Sequence, residues 1–279
     1  MKDYAILVNS CDSYEDAWPF FFFLLKKNWR GKLPLIYLNT ETKKYIDNSI
    51  RVISINSDKS LPWGSRLKHC LAHIDNDFIL MMLEDFYYEA PINIDVVNKC
   101  VEYMKENTNI LSFQFVPCGE VVTGYFPDAE TDFPGFVKRK KFAQFLIAAV
   151  PTLWRKKDLM TLTMDGDNPW EWEFFGSFRT WFYNMDVYCW NMNDLYVFKY
   201  DVVHGGAIHR GKWVGYKIEE LSHKYNIMFD YGMRAIEYDW MKQIEDNKKV
   251  PVYKRLGSIL RNRSRMAGEI FRGIWLRLN

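Results

Sequence analysis

A chain of 279 residues holds one large domain, or one domain and an appendage. Its 48% hydrophobic and 17% aromatic content excludes a largely disordered protein. A net charge of +2 leaves no body-wide basic excess for displacing nucleic-acid counterions, so no nucleic-acid partner is expected.

Tyr4–Val8 reads as a first buried strand ending at Asn9-Ser10-Cys11-Asp12. Ser13, with Asp16 three residues on, starts a helix that carries Trp18–Leu25 and ends near Asn28. Pro34–Leu38 and Arg51–Ile55 read as further strands, and Trp63–Ile74 as an amphipathic helix. Phe78–Leu83 is an unbroken apolar run, the pattern of a strand buried on both faces, and it stops abruptly at Glu84-Asp85. A second amphipathic segment, Asn93–Asn107, leads to a strand at Ile110–Val116. This β/α alternation implies right-handed crossovers and a mostly parallel α/β sheet flanked by helices. Pro117–Gly135 reads as a long loop, and Phe145–Leu153 as a strand. Asn168-Pro169-Trp170-Glu171 combines a cap, a proline in the first position and a first-turn acid, so it starts a helix running to about Tyr183. Tyr196–Lys199 reads as a last short strand. The expected organisation is one large domain over residues 1–247, with halves at about 1–116 and 117–247, and a tail over 248–279.

The chemistry concentrates in polar clusters that follow strands or open helices. In open α/β sheets ligands bind beyond the carboxyl ends of the strands. Two carboxylates there, Glu84 and Asp85, suit a divalent cation that in turn holds a phosphate. The His204–Lys212 segment offers a Gly205-Gly206 pair for close backbone approach, Arg210 and Lys212 to neutralise phosphate, and His204 or His209 to complete a metal shell. His69 and His73 stand four residues apart, but Cys70, Leu71 and Ile74 make that segment a packed helix. There is no G-x-S-x-G, G-x-G-x-x-G or Walker A motif, which argues against triad hydrolases, dinucleotide enzymes and kinase-type folds.

Taken in order, Val8-Asn9-Ser10-Cys11-Asp12, Trp63-Gly64-Ser65-Arg66-Leu67, Leu83-Glu84-Asp85-Phe86, Asn168-Pro169-Trp170-Glu171-Trp172-Glu173 and Arg210-Gly211-Lys212-Trp213 give a pattern that resembles bacterial GT-A-type glycosyltransferases of capsule and lipopolysaccharide (O-antigen) gene clusters. The resemblance spans roughly residues 4 to 215. It implies a GT-A-like fold and transfer of a sugar from a nucleoside-diphosphate donor to a hydroxyl of a lipid-linked or oligosaccharide acceptor. It places Asn9, Ser10, Asp12, Arg66, Glu84, Arg210 and Lys212 around the donor, and Mn²⁺ or Mg²⁺ at Asp85 with His204. Phe86 stands where a full D-x-D motif has its second acid. If the reaction inverts the anomeric centre, the expected outcome, a carboxylate must take the acceptor proton. Glu171 and Glu173 are the candidates, Glu171 preferred for its place in the first turn. Trp170, Trp154 and Arg155 are assigned to the acceptor.

From about Lys248 the chain becomes a basic amphipathic stretch, nine Lys and Arg against the single acid Glu269. Such a segment suits an anionic membrane surface. The scattered cysteines, odd in number and without C-x-x-C, fit a reducing compartment. No secretory leader pattern opens the sequence, and the expected location is the cytoplasm, peripherally on the inner face of the cytoplasmic membrane. Two other readings stand beside the transferase: a metal-dependent nucleotidyltransferase or hydrolase acting on nucleotide sugars, and a non-catalytic carbohydrate-binding protein.

Overall fold

The structure is a computed structural model that describes residues 3–116, 129–131, 133–143, 145–192, 195–201, 206–232, 234–238 and 252–278, with side chains left undescribed at 129–130 and 252–261. Nine strands form the main sheet: β1 (Tyr4–Asn9), β2 (Ile36–Thr40), β3 (Val52–Asn56), β4 (Phe78–Met82), β5 (Ile110–Gln114), β6 (Ala129–Glu130), β7 (Phe136–Lys138), β8 (Thr152–Arg155) and β9 (Asp186–Trp190). Their order is β3-β2-β1-β4-β8-β5-β9-β7-β6. β8 is antiparallel to both β4 and β5, and β7 to both β9 and β6. All other neighbours are parallel, so seven of the nine strands point one way. The mostly parallel α/β architecture expected from the alternating pattern is the one observed.

Helices cover both faces: α1 (Trp18–Asn28), α2 (Trp63–Ala72), α3 (Ile94–Glu106), α4 (Lys156–Leu162), α5 (Pro169–Thr180), α6 (Gly215–Tyr225) and α7 (Val252–Leu278). The period of two along each strand sorts side chains between two cores. Ile6, Val8, Leu80 and Met82 pack with Phe20–Leu25 of α1 and with Val97 and Val101 of α3. Ala5, Leu7, Ile79 and Met81 pack with Leu67 and Leu71 of α2, Leu159 of α4 and Trp172 of α5. Strands buried on both faces need continuous apolar sequence, which is why Phe78–Met82 stands out.

Several local expectations are corrected. The Phe145–Leu153 segment is a strand only from Thr152 onward, because its earlier residues form a loop whose carbonyls at Phe145 and Leu146 accept from the Gln114 side chain. Tyr196–Lys199 is not a strand. Its backbone reaches instead toward Glu89 and Asn93, and the strand in that region is β9. The long loop contains β6, and its residues 117–128 lie outside the described residues. β10 (Ile208–His209), β11 (Lys212–Val214) and β12 (Ile236–Glu237) make a separate small sheet. Among the described residues, no helix is long and apolar enough to cross a membrane.

Candidate active site

β1 and β4 are parallel neighbours, so their polar ends emerge side by side. Asn9, Ser10, Glu84 and Asp85 are all buried there. Beyond β4 the backbone turns tightly, with Phe86 N donating to Leu83 O and Tyr87 N to Asp85 O, which fixes both acids at the strand end. Ser10 is held from below by the Trp18 indole N–H, at 2.8 Å, and its own hydroxyl donates to Cys11 O at 3.5 Å. The Asn39 amide, at the end of β2, donates to Asn9 Oδ1 at 2.6 Å.

The acid pair is electrostatically unsatisfied. Burial, then the neighbouring Asp85 charge, pushes Glu84 well above the carboxylate range. Burial raises Asp85 to about 7, against the lowering pull of its own backbone N–H and of Arg234. Among the described residues, Glu84 Oε2 and Asp85 Oδ1 have no hydrogen-bond partner, and neither does Asn9 Nδ2. Buried polar atoms are rarely left so, and an orphaned carboxylate oxygen is what a cation would take up. The pair therefore fits a hard divalent ion. No group of three or more His, Cys, Asp or Glu able to hold a metal occurs among the described residues, which do not include His204.

Two elements close the site. Gly206, at φ +116°, lies against Asp85 so tightly that a Cβ there would sit 2.9 Å from both the main-chain oxygen and Oδ2 of Asp85, and Ala207 N donates to Asp85 O at 2.8 Å. Gly206→Ala should therefore displace Asp85 and cost about 1–3 kcal/mol, through overpacking and a strained φ. The check is a lower urea midpoint at unchanged m. Arg234 forks onto Asp16, at 3.0 and 2.9 Å, and donates to Ser13 O and Gly211 O. Its guanidinium covers the ring of Tyr14 at 4.5 Å. Burial and then the Glu84 and Asp85 charges lift the Tyr14 hydroxyl to about 12, which places that ring beside the pair. Neither Tyr14 nor Arg234 was expected from the sequence. Arg234 lies in a stretch with no periodic or motif signal, and only the fold carries it to Asp16.

The remaining expected residues divide. The Asp12 carboxylate accepts from the backbone N–H groups of Glu41, Thr42 and Lys43 and from the Thr42 hydroxyl. These bonds outweigh its burial and hold it below the usual range, so Asp12 fixes the loop after β2. Arg66 is ion-paired with Glu41, and its Nε is unpartnered. It is near Cys11, whose thiol is raised first by burial and also by Glu84, so Arg66 belongs to the same corner. Arg210 and Lys212 flank the β10–β11 turn. Lys212 pairs with Glu237 at 3.0 Å, and Arg234 reaches the turn between them at Gly211. His204 lies outside the described residues.

α2 begins against the segment that precedes α5, with Gly64 N donating to Asp167 O and Ser65 N to Asp165 O. Since α2 follows the carboxyl end of β3, the start of α5 lies at the site end of the sheet. There Trp170 is 77% exposed. Glu171 is tied to Arg265 of α7 at 2.5 Å, a bond that lowers its pKa and makes it a poor base. Glu173 instead accepts from Ala149 N at 2.6 Å, and burial raises its pKa. Ala149 lies three residues before Thr152, which pairs with Met81 near the carboxyl end of β4.

Two residues assigned to the acceptor lie elsewhere in the fold. Trp154 is wholly buried, its ring centroid 5.9 Å from that of Trp172. Arg155 lies at the opposite end of the sheet. Because β8 is antiparallel, Arg155 pairs with Phe78 at the start of β4, where it donates to the carbonyls of Met104, Asn107 and Ile110.

The sequence matches no protein-family model and no curated protein. Among solved structures, S. aureus TarS 1–349 aligns with a TM-score of 0.44 at 11% identity, over 71% of this chain and 60% of that one. UDP-glucose pyrophosphorylase complexed with UDP-glucose aligns with a TM-score of 0.45 at 10% identity, over 71% and 92%. A CMP:2-keto-3-deoxy-manno-octonic acid synthetase complexed with CTP gives 0.41 at 8%, over 81% and 99%. The chain thus spans about 60% of the TarS fragment's length. None of these is similar enough to assign an activity.

Proposed function

We propose that this chain is a glycosyltransferase that moves a sugar from a nucleoside-diphosphate donor to a hydroxyl of a lipid-linked or oligosaccharide acceptor. We place it in capsule or lipopolysaccharide synthesis at the inner face of the cytoplasmic membrane. The observation that carries the reading is the orphaned Glu84–Asp85 pair at the carboxyl end of β4, beside the polar end of β1. Glu84 and Asp85 would hold Mn²⁺ or Mg²⁺, which when bound supplies positive charge to a leaving diphosphate. Asn9, Ser10 and Arg66 line the donor side. The β10–β11 turn, carrying Arg210 and Lys212, brings cations to the diphosphate, and Arg234 fixes that turn.

Glu173 is the base in this reading. The acceptor hydroxyl oxygen bonds to the anomeric carbon while the bond from that carbon to the diphosphate breaks, and the hydroxyl proton passes to Glu173. A carboxylate whose burial raises its pKa is the better proton acceptor. Glu173→Gln should lower kcat by about 10²–10⁴ with KM for the donor little changed, whereas Glu171→Gln should change kcat less than tenfold. Steady-state kinetics on both variants reads the difference. Equal losses would remove Glu173 from the role.

The test of the whole reading is a thermal-shift screen against nucleoside diphosphates and nucleotide sugars, with and without Mn²⁺. A ligand at a hundredfold excess over its Kd stabilises by about 2.7 kcal/mol. A Mn²⁺-dependent shift with one nucleotide supports the donor site and names its base. No shift with any nucleotide overturns the reading. Pyrophosphate release from a nucleoside triphosphate and a sugar phosphate, without sugar transfer, would assign the site to a nucleotidyltransferase instead.

A further inference from the structure

α7 does not stand away from the body as a free tail. Its described part packs along α5, with Gly273 pressed against the main-chain oxygen of Arg179, Glu269 bonded to Arg179 at 2.7 Å, and Arg265 lying 4.0 Å from the ring centroid of Phe175. The face turned to α5 carries Met266, Glu269, Ile270, Gly273 and Leu276, all buried or half-buried. An amphipathic helix docked in this way ordinarily presents polar residues outward.

This one does not. Phe271, Trp275 and Leu278 stand 70%, 61% and 77% exposed, at i, i+4 and i+7 on the face opposite the docked one. Arg263, Arg272 and Arg277 are exposed along its flanks. The helix thus has two apolar faces, one docked on α5 and one with large side chains more than half exposed. The end of α5 carries a second element of the same chemistry. Phe142 is 49% exposed and packs on Trp181 and Phe182, with their centroids 5.4 and 5.8 Å away. Lys140 and Lys141 beside it are exposed, and Lys141 lies over the Phe142 and Phe182 rings. Trp181 follows α5 directly, two residues past the Arg179 oxygen against which Gly273 rests.

We infer that the outer face of α7 and the Lys140–Phe142 loop form one docking surface for an anionic lipid bilayer. Exposed aromatic and aliphatic side chains flanked by lysine and arginine match the boundary between acyl chains and negatively charged headgroups. The described part of α7 contributes a single carboxylate, Glu269, which is buried under the helix and bonded to Arg179, so no acid on its outer face opposes anionic lipid. A bilayer is the pertinent partner because of the lipid-linked acceptor proposed above, and in that respect the inference rests on that reading. The helix would bind lipid while still docked on α5, so attachment fixes the orientation of the body on the membrane.

The test is co-sedimentation of the full chain with vesicles of phosphatidylcholine alone and with one quarter phosphatidylglycerol, without nucleotide, metal or acceptor, so that it fails separately from the enzymatic reading. The wild type should bind the anionic vesicles and be released by high salt. F271S/W275S should lower the bound fraction at least tenfold, and F142S several-fold, each measured below the thermal midpoint of the variant so that the loss reports binding and not unfolding. No binding to anionic vesicles, or equal binding by F271S/W275S, overturns the inference. So does a concentration-dependent dimer, seen by light scattering, that the same variant abolishes while vesicle binding persists.

Discussion

Asp85→Asn should be more stable than the wild type at pH 8 in the absence of divalent cations, and it should lose most of its activity. Burial raises the native pKa of Asp85 from 3.8 to about 7. Between those values the folded chain holds a proton that the unfolded chain has released, so wild-type stability falls as pH rises from about 4 to about 7. Asparagine carries no such proton and also relieves the like charge facing Glu84. The gain at pH 8 should be on the order of 2–3 kcal/mol and should vanish below pH 4. Mn²⁺ should reverse the order, stabilising the wild type strongly at pH 8 and the variant little. Transfer activity should fall at least a thousandfold, because charge on the leaving diphosphate is then poorly compensated. Thermal midpoints of both proteins across pH 4–8, with and without Mn²⁺, decide the matter. The same Mn²⁺ shift in both would remove Asp85 from the metal site.

The largest loss of stability should follow Arg179→Met. Arg179 has no exposed surface, forks onto Asp167 at 2.7 and 2.6 Å, donates to Leu162 O at 2.6 Å and reaches Glu269 at 2.7 Å. Removing the cation strands two buried carboxylates and should cost about 3–5 kcal/mol. It should also free α7, so limited proteolysis should cut within residues 252–278 before the body unfolds. The triple variant D167N/R179M/E269Q, which removes the stranded charges, should recover part of the loss in urea melts. If Arg179→Met costs under 1 kcal/mol, this cluster does not hold the helix.

The parts of the fold that were legible were those encoded locally. Phe78–Met82 announces a doubly buried strand by composition, and Glu84-Asp85 announces its end, so the position of the acid pair followed from one strand. Asn168 caps α5 as its spacing with Pro169 and Glu171 indicates, accepting from Glu171 N at 2.9 Å. Long-range pairing was not legible. Nothing in Thr152–Arg155 says that this strand enters between β4 and β5 and runs against them, and that direction alone carries Arg155 away from the site. The bond that lowers the Glu171 pKa comes from Arg265, which is 94 positions away in sequence. Arg234 reaches the site through Asp16, 218 positions away. Ion pairs of that separation leave no periodic trace, because each partner alone resembles any surface charge.

The position of β8 also constrains how the chain reaches this structure. β4 and β5 follow one another with only α3 between them, yet they never touch through hydrogen bonds, because β8, about forty residues later, separates them. Until Thr152–Arg155 arrives, the block β3-β2-β1-β4 and the strand β5 each present an open edge. Closure of such distant pairings is slow, since the intervening loop must lose its freedom before the contacts reward it. Unpaired edges are also the places where partly folded chains associate. The step that joins the halves of the sheet is therefore the one at which folding competes with aggregation, and substitutions that weaken β8 should lower soluble yield more than their effect on equilibrium stability indicates.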